Sequence, residues 1–126
     1  MEKIEIEATP STPNVLAEPG KGLTIKGRSL PEDPVTFYAP IIKWCKNYLN
    51  PGDEILFKLE YFNTSTSKII YNILKVAEES FEKGLITVHW HYEEGDEDGH
   101  ESGLLYQDEL PGLKFNFHEF SEMETL

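Results

Sequence analysis

Apolar and polar positions alternate along several short stretches of the chain and recur at helical spacing along two longer ones. Ile4 and Ile6 alternate with Lys3, Glu5 and Glu7, which predicts a short strand over 3–7. Residues 14–17 and 22–27 flank Glu18-Pro-Gly-Lys21, apolar pairs around a Pro-Gly turn, and predict a hairpin with Leu23 and Ile25 on one face. From 55 to 62 Phe57, Leu59 and Tyr61 point one way, and Lys58, Glu60 and Phe62 the other. The β-prone run 85–92 carries Leu85, Thr87, His89 and His91 on one face, and Ile86, Val88, Trp90 and Tyr92 on the other. A last alternating run over 113–120 aligns Leu113, Phe115 and Phe117.

Between these strands the period changes. Tyr38, Ile41, Ile42, Cys45, Tyr48 and Leu49 form one helical stripe, so a helix spans 34–48, opened by the prolines and acids of residues 31–34. Ile70, Ile73, Leu74, Ala77 and Phe81 form a second, over about 65–83, closed by Gly84. A short helix over 101–109 is weaker, because Ser102-Gly103 opposes it. Residues 93–100 read as an acidic flexible segment, and 121–126 as a loose end. Strand–helix–strand units imply a mixed, partly parallel sheet of about five to six strands, with two long helices and a short third packed on it. The class is α/β (α+β), and one domain fills 1–126.

Composition narrows the partners. The 126 residues carry 11 Lys and Arg against 23 Asp and Glu, a net charge of −12. Nucleic acids and anionic membrane surfaces are therefore poor partners, and another protein is the expected one. No apolar run reaches a membrane-spanning length, and the first residues, charged and alternating, do not read as a secretion signal. The single cysteine, Cys45, excludes an internal disulfide, and the expected compartment is the cytoplasm.

The candidate chemistry gathers where strand period gives way to helix period, at Asn63-Thr-Ser-Thr-Ser67. Four consecutive hydroxyls stand at a helix N-terminus, where N–H groups lack intrahelical partners and the macrodipole is positive. Asn63, Thr64 or Ser65 serves there as an N-cap, and a phosphate on one of the hydroxyls would meet a favourable field. Both roles are compatible. His89 and His91 share a strand face near acidic residues, but a metal site needs three or four ligands and no second cluster follows. Asp96-Glu-Asp-Gly99 lacks the order of a calcium loop. Cys45 lies on an apolar stripe beside Trp44 and reads as core. No nucleophile elbow or phosphate-cradling glycine loop occurs, so neither an enzyme nor a cofactor is expected.

Four segments resemble the SiaC family of bacterial regulatory phosphoproteins: Ser11-Thr-Pro-Asn-Val15, Gly27-Arg-Ser-Leu-Pro-Glu32, the run from Phe57 through Asn63-Thr-Ser-Thr-Ser-Lys68, and Val88-His-Trp-His-Tyr92. The third is the most specific. The family pattern differs at Leu30, where an aromatic is usual, and at Cys45, where leucine is usual. The resemblance implies a STAS-like fold and a partner-switching role. It further implies phosphorylation at Thr64, with Ser65 the adjacent alternative, by a cognate Ser/Thr protein kinase, and removal by a metal-dependent Ser/Thr phosphatase. The unphosphorylated form would bind and activate a diguanylate cyclase, raising cyclic di-GMP and promoting biofilm or aggregation. Asn63, Ser65, Thr66, Lys68, Arg28 and Ser29 are the expected partner-binding residues, the last two as an exposed turn near a helix start. The alternatives are a STAS-type anti-sigma-factor antagonist with a different target, and a small metal-binding domain using His89 and His91.

Overall fold

The computed structural model describes residues 2–121. Six strands lie in one sheet in chain order: β1 (Ile4–Ile6), β2 (Asn14–Glu18), β3 (Gly22–Ser29), β4 (Glu54–Phe62), β5 (Thr87–Glu93) and β6 (Lys114–Phe120). The helices α1 (Pro34–Tyr48), α2 (Thr64–Ser80) and α3 (Glu97–Glu109) connect β3 to β4, β4 to β5 and β5 to β6. The first three strands are antiparallel neighbours, and β3 through β6 are parallel. Successive crossovers moving in one direction across a parallel sheet, each right-handed, leave their helices on the same side. The sheet accordingly has one helix-covered face and one open face.

The covered face holds the core. Val15, Leu23, Ile25, Ile55, Phe57, Val88 and Trp90 meet Tyr38, Ile41, Ile70, Ile73 and Leu74 from the helices in one buried cluster. Trp44 is also buried, its indole N–H donating to the carbonyl of Glu2. The stripe expected for α1 is thus wider than the six residues read from spacing. Cys45 is buried, and that burial pushes its thiol up to about 12, so it is inert.

Three expectations are corrected. Tyr61 does not follow Phe57 and Leu59 into the core. In the β3–β4 ladder Gly27 pairs with Leu59, but Arg28 pairs with Tyr61. Glu60 is therefore an extra residue, and the bulge reverses the faces beyond it. Tyr61 turns outward, and Phe62 turns inward to meet Trp90 edge-on, 6.0 Å between centroids. The second correction concerns α3, which runs the full length from Glu97 to Glu109 and absorbs part of the acidic segment. Asp96 caps it by accepting the Gly99 N–H at 3.0 Å. Gly103 does not break the helix but lets it approach the sheet: a Cβ there would lie 2.4 Å from Trp90 Cδ1 and 2.8 Å from Phe117 Cε2. Third, α2 ends at Ser80, with Phe81 already extended and packed against the core. Of the segment 121–126 only Ser121 falls within the described residues, so its expected looseness lies outside them.

Candidate functional site

The chain leaves β4 at Phe62 and enters α2 two residues later. Asn63 is the N-cap: its Oδ1 accepts the Thr66 N–H at 2.9 Å, and its carbonyl accepts the Ser67 N–H at 3.0 Å. Thr64 and Ser65 occupy the first two helical positions and are both exposed. Their N–H groups precede the first intrahelical bond. No acidic residue stands in the first turn, and Lys68 is exposed one turn on. The helix start thus presents two hydroxyls in a positive field with no neighbouring carboxylate on the same turn.

Beneath them lies a buried network. Thr66 and Ser29 are both fully buried. Thr66 Oγ1 donates to the Ser29 carbonyl at 3.1 Å and lies 2.9 Å from Ser29 Oγ. Ser29 Oγ is in turn 2.7 Å from the Tyr38 hydroxyl. Because Thr66 has spent its only proton on the carbonyl, Ser29 donates to Thr66 and Tyr38 donates to Ser29. Every hydroxyl then donates once. The Asn63 N–H closes the junction by donating to the Ser29 carbonyl at 3.2 Å. Burial pushes the Tyr38 phenol up to about 12, despite its bond to Ser29, which keeps it a neutral donor. One chain of hydrogen bonds therefore ties the start of α2 to the end of β3 and to α1.

This arrangement divides the residues expected at the site. Thr64, Ser65 and Lys68 reach solvent, and Asn63 is half-buried as the cap. Ser29 is not an exposed turn residue: β3 runs on through it and turns its side chain to the covered face. Thr66 is likewise inaccessible. Both can support the site but cannot touch a partner. Arg28 remains outside, its guanidinium 5.6 Å from the centroid of the Tyr61 ring that the bulge exposes. Sequence reasoning missed Tyr38 and Tyr61. The first sat unremarked in an apolar stripe. The second was hidden by a bulge that no periodicity reports.

A cleft of about 340 Å³ lies between α1 and α2. Val35, Ile42 and Ile69 supply its apolar wall, and Lys43 and Lys46 its basic rim. Val35 is 71% exposed. His89 and His91 lie on the opposite, open face of the sheet. The His89 ring is held at both nitrogens, Nε2 by Glu54 at 2.6 Å and Nδ1 by His118 at 3.0 Å. Among the described residues no group of three or more His, Cys, Asp or Glu is arranged to hold a metal ion. No described helix is long and apolar enough to cross a membrane.

Comparison with known proteins bears on the family and the fold. The sequence pattern of the SiaC family regulatory phosphoproteins matches residues 6–120. An uncharacterised protein of Pseudomonas aeruginosa strain UCBPP-PA14 is 31% identical over 102 residues, covering 77% of this chain and 81% of that one. Crystallised apo-SiaC from Pseudomonas aeruginosa superposes with a TM-score of 0.81 at 26% identity, over 94% of this chain and 99% of that one. A second match is to the structure of the diguanylate cyclase SiaD in complex with its activator SiaC, from the same species. There the TM-score is 0.82 at 27% identity, over 93% of this chain and 99% of that one. The family pattern spans nearly the whole chain and the solved relatives share its fold, so the chain belongs to the SiaC family of regulatory phosphoproteins.

Proposed function

We propose that this protein is a cytoplasmic partner-switching regulator whose unphosphorylated form binds and activates a diguanylate cyclase, and whose switch is Thr64. The reading rests on one observation: Thr64 is exposed at the first position of α2, whereas Thr66, two residues on, is sealed in the hydroxyl network. Ser65 is exposed beside it and is the alternative acceptor. The crystallised relative is described as the activator of its cyclase, which supports the same role here. A cognate Ser/Thr kinase would add the phosphate and a metal-dependent phosphatase would remove it. Neither step needs catalytic residues of this chain, which acts as a binding domain over 1–126.

The physics of the switch is local. Phosphate adds about −1.5 to −2 charge and three acceptor oxygens at one exposed point. A cyclase surface packed over Thr64 and the α1–α2 cleft would have to bury that charge without a matching cation, and docking fails. A kinase pocket lined with cations accepts the same group. The test is cyclase activation by three variants. Thr64→Ala should activate constitutively, Thr64→Glu should activate weakly or not at all, and Ser65→Ala should behave as the parent. Equal activation by the first two would overturn the assignment. No activation by the unmodified protein, together with capture of an anti-sigma kinase, would instead favour the anti-sigma-antagonist role.

A further inference from the structure

The open face of the sheet carries a row of basic side chains away from the start of α2. Strand register sets Lys26 of β3 opposite Lys58 of β4, Lys58 opposite His91 of β5, and His91 opposite His118 of β6. Four basic side chains therefore stand abreast on four adjacent strands. At about 4.8 Å per strand the row is roughly 14 Å long. Like charges directly opposite one another destabilise a sheet. In a chain with 23 acidic residues against 11 Lys and Arg, the Lys26–Lys58 pair stands without an intervening carboxylate, and the two histidines extend it with basic rings.

Local contacts hold the row in place. The His91 and His118 rings stack at 4.5 Å. Lys58 Nζ lies 4.7 Å from the centroid of the Phe120 ring. His91 is kept largely neutral: desolvation first, then the charges of His118, Lys58, His89 and Lys26, lower its pKa to about 4. The groups facing it are thus Lys26 from β3, Lys58 from β4, His89 on its own strand and His118 from β6. Glu54 is engaged by His89. An anion laid along the row would relieve the repulsion between the lysines and favour the protonated form of His91.

We infer that this face binds an acidic, extended segment of a protein partner, with alternate carboxylates seated along Lys26, Lys58, His91 and His118. The length of the row selects that occupant. It exceeds any single phosphate, whereas carboxylates at i, i+2 and i+4 of an extended chain span about 13 Å. The half-buried Leu56 gives apolar footing beside the lysines. A long polyanion is disfavoured, because its charge continues past the row into the field of a chain of net charge −12. The site lies on the face opposite α2, so it is separate from the Thr64 switch.

The probe is a fluorescein-labelled peptide of alternating Glu and Val, read by fluorescence anisotropy against the full chain at low salt. Saturable binding is expected, weakened several-fold when salt is raised to about 0.2 M. Lys26→Gln and Lys58→Gln should each weaken it about threefold, the scale of one exposed charge pair. Thr64→Glu should change nothing. Lys26 is exposed, so its variant keeps the inference testable if the Lys58 change perturbs the strand. Equal binding of a Gln/Val peptide, indifference to both lysine variants, or tighter binding of duplex DNA or phosphatidylserine vesicles would each overturn the assignment.

Discussion

Replacing Thr66 by valine tests whether the hydroxyl network fixes the start of α2. The two side chains have nearly the same shape, so packing is retained and only the hydroxyl is lost. Thr66 Oγ1 accepts from Ser29 Oγ at 2.9 Å and donates to the Ser29 carbonyl at 3.1 Å. The carbonyl keeps the Asn63 N–H. The Ser29 hydroxyl, fully buried, keeps Tyr38 as a donor to it but has no acceptor for its own proton. Leaving a buried donor unmade costs about 2 kcal/mol, within a range of roughly 1–3. For 126 residues that corresponds to a fall in Tm of about 7 °C. Thr66→Ser, which keeps the hydroxyl and loses one methyl, should cost only about 0.8 kcal/mol. Thermal and urea melts of the three proteins measure both. If Thr66→Val is as stable as the parent, or Thr66→Ser falls further than Thr66→Val, the network does not carry the load assigned to it.

Three other outcomes follow from the same geometry. Gly103→Ala should destabilise by about 1–3 kcal/mol through overpacking against Trp90 and Phe117, outweighing the better helix propensity of alanine; near-ultraviolet circular dichroism of the Trp90 environment and a urea melt report it. His91 has a folded pKa near 4, below its ordinary value, so the unfolded chain binds more protons between about pH 6.5 and 4. Its contribution is intact above that window and is lost as pH falls through it. His91→Gln should therefore lose about 1 kcal/mol less than the parent between pH 7 and 4 in urea titrations, a figure reduced for solvent screening of a half-exposed ring. Phosphorylation of Thr64 should leave Tm unchanged or raise it, by at most about 1 kcal/mol of stability, because the phosphate sits at the positive end of α2; a clear fall in Tm would mean that the modification melts the helix.

Element order was legible because the period of apolar residues changes from two to 3.6 and back at each junction. The parts that were not legible depend on neighbours distant in sequence. Tyr61 reads as an inward residue until β3 is laid beside β4 and Glu60 proves to be extra. Gly99 reads as part of a flexible acidic segment and Gly103 as opposing a helix, yet the first takes the Asp96 cap and the second a close approach to Trp90. Ser29 follows a glycine and an arginine and precedes a proline-rich turn, the composition of an exposed loop. It is buried because β3 continues through it against Phe62. The row from Lys26 to His118 spans 92 positions of sequence and exists only through register.

The contrast between Thr64 and Thr66 carries the functional argument furthest. At about 100° per residue, two helical positions two apart lie roughly 200° around the axis from one another. One threonine therefore faces the sheet when the other faces solvent. The buried one is satisfied by Ser29 and holds the helix start to β3. The exposed one is left as a bare hydroxyl in a field that favours negative charge. A phosphate placed there has no buried bond of Thr66 to break and no carboxylate in the first turn to repel. Its charge is felt by whatever docks on α2 rather than by the fold beneath. A switch built this way changes the affinity of a surface while leaving the domain folded, which is what repeated cycles of modification and removal require.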